Sequence, residues 1–166
     1  LAATMIDDPA MVTRSQMDAW VRTFDNWATC DTACFKLFDK VPDPAVVFAK
    51  VERWSRKTDE FQRRASMALL ASFALHDRSV GDDKFLRCLP IILRVAADER
   101  NFVKKGVSWA MRGIAQRSPA LRAKIVGLAT DFTASEAAAT RWIGRDVLSA
   151  VGGGARRSAP SRAARS

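Results

Sequence analysis

Trp27 and Asp31 stand four positions apart in the stretch FDNWATCDTACFKLF. That spacing puts an indole and a carboxylate one turn apart on one face of a helix. A carboxylate beside a π face can stabilise a developing cation and orient or deprotonate a water. Spacing alone favours the plainer reading, a core aromatic next to a solvated or first-turn acid. Cys30 and Cys34 are also four apart. No nearby His or second Cys pair completes a zinc set, so no metal site is expected. His76, the single histidine, ends a helical run before Asp77 and reads as a helix C-terminal histidine. No Ser–His–Asp motif, G-x-G-x-x-G or P-loop is present, and the GGG at 152–154 does not join a strand to a helix. No cofactor is expected.

Helices must position these groups. Ala, Leu, Arg and Met dominate, Tyr is absent, and no strand-like alternation occurs. Thr13, Asp43-Pro44, Asp82, Ser118-Pro119 and Ser135 read as helix starts. The pattern predicts helices near 13–23, 26–39, 43–55, 59–76, 82–97, 101–117, 119–131 and 135–150. They group into about four antiparallel pairs whose first members start near 43, 82 and 119. That step, about 40 residues, is the period of HEAT-type repeats. The fold class is therefore all-α, a HEAT-like solenoid in which stacked pairs bury faces that none can bury alone.

The second helices echo one another. FQRRASMALLASFAL and FVKKGVSWAMRGIAQ, aligned on Phe61 and Phe102, set Arg63-Arg64 over Lys104-Lys105; ATRWIGRDVLSAV, with Arg141 and Arg145, is a weaker echo. Recurrence at one position makes either a basic stripe along a groove, suited to a phosphate backbone, or a solvated basic face.

The 166 residues suit one domain with a real core; 48% are hydrophobic and 27% charged. No apolar run is long enough to span a membrane. Three cysteines, an odd number, suit a reduced, intracellular chain. The net charge is +9, of which four charges sit on the arginines of GGGARRSAPSRAARS. The chain divides into a helical domain over 1–151 and a disordered basic tail over 152–166, a solvated end or a phosphate-binding arm.

WATCD, FQRRAS and FVKKGVSWAMR, in that order and on second helices, resemble the motifs of the AlkD-type DNA alkylation repair enzymes. The resemblance runs from about residue 6 to 150. It implies a HEAT-like-repeat alkylpurine DNA glycosylase, monomeric and cytoplasmic, at the nucleoid through its DNA. The family has six repeats against four here, so the resemblance implies that the first ones are missing before Leu1. It puts the catalytic carboxylate at Asp31 and the lesion-packing indoles at Trp27 and Trp109. It puts phosphate contacts at Arg64, with Arg63, Lys104, Lys105, Arg112 and Arg141 beside it. Whether Arg63 or Arg64 faces the groove stays open on helical phase alone. The implied substrate is double-stranded DNA carrying cationic N3- or N7-alkylpurines, with no metal and no membrane. Such a lesion departs neutral and needs no strong general acid. A non-catalytic DNA-binding or damage-sensing relative, and a HEAT-like protein-interaction scaffold, are the competing expectations.

Overall fold

A computed structural model describes residues 8–152. Its α-helices are α1 (Arg14–Val21), α2 (Trp27–Lys36), α3 (Pro44–Ser55), α4 (Glu60–His76), α5 (Asp82–Leu86), α6 (Leu89–Ala96), α7 (Asn101–Ala115), α8 (Pro119–Thr133) and α9 (Ala138–Gly152). Short 3₁₀ turns occupy Pro9–Met11 and Phe38–Lys40, and no strand occurs among the described residues. The proposed tail lies outside the described residues except for Gly152, which ends α9.

Local chemistry explains most helix starts. Thr13 accepts from the Gln16 amide in a capping box, Asn26 from Thr29, Asp59 from Gln62, and Ser118 from Leu121. Asp43 accepts from Ala45, with Pro44 opening α3. Two expected starts differ. Gly81 precedes α5, so Asp82 is its first residue and takes the Ser118 hydroxyl instead. Ser135 accepts from the Ala137 amide, one turn ahead of α9. The single helix expected at 82–97 is two, α5 and α6. Pro90 cannot donate to the Leu86 carbonyl and its ring would crowd it, so the first helix stops at Leu86.

The pairs α3–α4, α6–α7 and α8–α9 pack in succession, a helical-repeat solenoid of two layers. The second helices touch in the order α2, α4, α7, α9. α4 is central: residues 64 to 74 are buried in an unbroken run, between α2, α3 and α7. Its Ala and Ser positions keep the helix thin enough to be covered on several sides. α7 comes close at Gly106, where a Cβ would stand 3.2 Å from the Met67 Cβ. The glycine that interrupts helix propensity is thus where α7 meets α4. At Gly144 a Cβ would lie 2.6 Å from the Ala129 carbonyl oxygen, which only glycine permits.

α1 is fastened by charge. Asp18 takes the Lys50 ammonium at 2.8 Å, Arg53 at 3.0 Å and the Trp54 indole N–H at 2.8 Å. Burial pushes the Asp18 carboxyl up, but these donors outweigh it and leave its pKa below the usual value.

Candidate DNA-binding and catalytic site

Asn26 caps α2, and the first residue inside the cap is Trp27. Its side of the helix faces out: Trp27 is 52% exposed, while Cys30, Ala33 and Cys34 turn inward and are fully buried. Cys30 and Cys34 point their sulfurs at the Phe61 and Ala65 carbonyls of α4, at 3.7 and 3.6 Å. Burial first, then the neighbouring Cys30 thiol, pushes the Cys34 thiol well above its ordinary pKa. The pair seats α2 on α4.

With that face fixed, Asp31 meets Arg64. Arg64 Nε donates to Oδ1 at 2.9 Å and Nη2 to Oδ2 at 2.6 Å, a two-pronged bond. Its Nη1 donates to the Phe102 carbonyl of α7 at 2.6 Å. The side chains of Arg64 and Asp31 are 8% and 18% exposed. One guanidinium therefore ties α2, α4 and α7 together and sets the plane of the carboxylate, whose remaining lone pairs stay available.

Phe35 lies one turn beyond Asp31, as Trp27 lies one turn before it. The Phe35 ring stacks on Trp109 of α7, centroids 4.8 Å apart and planes within 14°. Trp27 thus stands exposed one turn before Asp31, and Phe35, one turn after it, carries Trp109 of α7 against its ring. A model of the DNA alkylation repair enzyme family matches residues 1–146. The chain belongs to the DNA alkylation repair enzyme family. A comparison with curated proteins finds no match.

Membership in this DNA-repair family makes DNA the natural partner, and the remaining cations divide accordingly. Arg63 turns away from Asp31 and bonds Asp98 at 2.7 Å, where Arg100 bonds the same oxygen at 2.6 Å. Burial raises the Asp98 carboxyl, but Arg100 and Arg63 prevail and bring its pKa down to about 2. Arg141 donates to the Ser135 and Glu136 carbonyls at the start of its own helix. Lys104 stands over the Trp142 ring, 5.3 Å from its centroid. Lys105 is exposed. Arg112 and Trp109 line a cavity of about 310 Å³ with Gln116 and Arg122, and the Arg112 Nε is buried without a partner.

Three side chains at this site escaped the sequence reading. Phe35 carried a usable signal, the same spacing of four that singled out Trp27. Asp39 and Ser72 carried none. Asp39, in the turn after α2, is wholly buried at its side chain and accepts from Ser72 and from His76 Nδ1, the latter at 2.5 Å. Among the described residues no group of three His, Cys, Asp or Glu could hold a metal ion, and no helix is long and apolar enough to cross a membrane.

Proposed function

We propose that the chain hydrolyses the N-glycosidic bond of cationic N3- or N7-alkylated purines in duplex DNA lying along α2, α4, α7 and α9. The observation that carries this reading is Asp31, fixed by the Arg64 fork and flanked one turn away on each side by Trp27 and by Phe35 with its Trp109 stack. As the C1′–N9 bond breaks, its electron pair leaves with the purine, which departs neutral. Positive charge then gathers on the deoxyribose, where a fixed carboxylate and indole faces stabilise it. Water adds to C1′, and its proton passes to Asp31 and on to solvent. Trp27 and Trp109 pack the lesion nucleotide. Arg64 holds Asp31, and Lys104, Lys105 and Arg112 take phosphates.

The test is base release from duplex DNA carrying N7-methylguanine. The native chain releases the base, and Asp31→Asn falls by about 10²-fold. Equal release by both removes Asp31 from the chemistry. A second reading, DNA binding without hydrolysis, draws on the same ion pair, because a carboxylate already matched to a guanidinium has less charge to offer a cation. Tight duplex binding with no release by the native chain would select it.

A further inference from the structure

We propose that Phe35 is a positioning residue for Trp109, and that the Asp39–His76 pair anchors Phe35 in turn. The proposal rests on the reading of Trp109 as a lesion-packing indole. An indole packed on a sugar must be held in one orientation, yet Trp109 is only partly buried on α7. Its face is met by Phe35, parallel and stacked. Phe35 is itself half-buried near the end of α2, so part of its ring is held by something other than the core. The His76 ring meets Phe35 nearly perpendicular, at 83°, with centroids 4.9 Å apart. An edge contact at one ring and a parallel contact at the other fix both the tilt and the position of Phe35.

His76 would be a weak support by itself, since it sits exposed at the last position of α4. Its Nδ1, however, donates to Asp39 Oδ2 at 2.5 Å. Ser72, one turn earlier on α4, donates its hydroxyl to the same oxygen, and Lys40 reaches the other at 3.3 Å. Lys40 also donates to the Phe35 carbonyl at 2.6 Å, which ties the end of α2 to the same turn. A buried carboxylate thus sets the imidazole, the imidazole sets Phe35, and Phe35 sets Trp109. Helices α2, α4 and α7 each contribute a link.

Two measurements test this. The first uses the full chain labelled with 5-fluorotryptophan and followed by fluorine NMR, with the Trp109 signal assigned by its loss in Trp109→Phe. Phe35→Leu and His76→Leu both move the Trp109 signal, and Phe35→Tyr, which keeps the ring, returns it close to its native position. His76→Leu leaves the Asp39 carboxylate its Ser72 hydroxyl and its Lys40 ammonium, so the chain keeps its fold even if Phe35→Leu does not. A Trp109 signal unmoved in His76→Leu overturns the proposal. The second measurement is single-turnover base release. Phe35→Leu slows it by about 3- to 10-fold, the equivalent of one aromatic pair, and adds nothing further in a Trp109→Leu background. Effects that multiply overturn the positioning role. A native chain that releases no base defeats the glycosylase reading, while the fluorine signal still decides the anchoring of Trp109.

Discussion

The pattern of an indole four residues ahead of a carboxylate occurs on two second helices, as Trp27 and Asp31 on α2 and as Trp142 and Asp146 on α9. In both places the adjoining second helix supplies the partner. On α2 the carboxylate takes a two-pronged guanidinium bond from Arg64, and the indole stays half exposed. On α9 the carboxylate takes one hydroxyl, from buried Ser108 at 2.5 Å, and the indole face is covered by the Lys104 ammonium. One station keeps its π face open and its carboxylate fixed in a plane. The other is closed by its own cation. The difference shows that spacing creates the possibility of a cation site, while the neighbouring helix decides whether an outside group can use it.

The largest contrast is expected in base release. Asp31→Asn lowers the single-turnover rate by about 10²-fold, whereas Asp146→Asn leaves it at the native value. Comparable losses at both positions would erase the distinction between an open and a closed station. The partners differ next. Arg64→Met leaves a mostly buried carboxylate without its counter-charge and costs about 3 kcal/mol in urea unfolding. Ser108→Ala removes one neutral donor from a carboxylate that water still reaches, and costs about 1 kcal/mol. The order of the two unfolding midpoints checks the comparison, and a reversal breaks it.

Sequence reasoning reached these two stations unequally. The α-solenoid was readable because start signals such as Thr13, Asp43-Pro44 and Ser118-Pro119 act within one turn of chain. Pro90 was visible as well, but its effect on Leu86 requires the donor bookkeeping of a helix already in progress. Helical periodicity put Trp27 and Asp31 on one face, while their expected roles, like that of Arg64, came from the resemblance to the family. The destination of Arg64 did not follow, since its partners are 33 and 38 residues away. Arg63 and Arg64, adjacent and chemically alike, go to different carboxylates, Asp98 in the loop before α7 and Asp31 on α2, because a step of one residue turns the side chain about 100° around α4. Asp39 was hidden for the same reason: its meaning comes from Ser72 and His76, which only the stacking of α2 on α4 brings near.

Acid should separate the two ends of the layer next. Near α4 and the start of α7, Arg63 and Arg100 are held by Asp98, whose side chain is 6% exposed. At the start of α9, Arg141 is held by two backbone carbonyls, which do not titrate. With the folded pKa of Asp98 at about 2 against an ordinary 3.8, its contribution is complete above about pH 4 and is lost as the pH falls through 2. The loss amounts to about 2 kcal/mol. Asp98→Asn should flatten that part of the stability profile. Hydrogen exchange at pH 3 should open the first turn of α7 before the first turn of α9, and simultaneous opening would contradict the assignment.

The smallest effect tests the indoles themselves. Trp27 is exposed, and none of the ring–ring or cation–π contacts among the described residues involves it, so Trp27→Leu changes unfolding free energy by less than about 0.5 kcal/mol. Trp142 packs against the core and carries Lys104, so Trp142→Leu costs about 1 kcal/mol through the lost cation contact and packing. If Lys104 reaches a phosphate from that seat, Lys104→Met lowers the slope of log binding constant against log salt by about 1. Trp142→Leu, which leaves the charge in place but frees it, weakens duplex binding without changing the slope. A Trp27→Leu chain less stable than Trp142→Leu would mean that the open station on α2 is part of the packing, and that its exposed indole was never kept for a ligand.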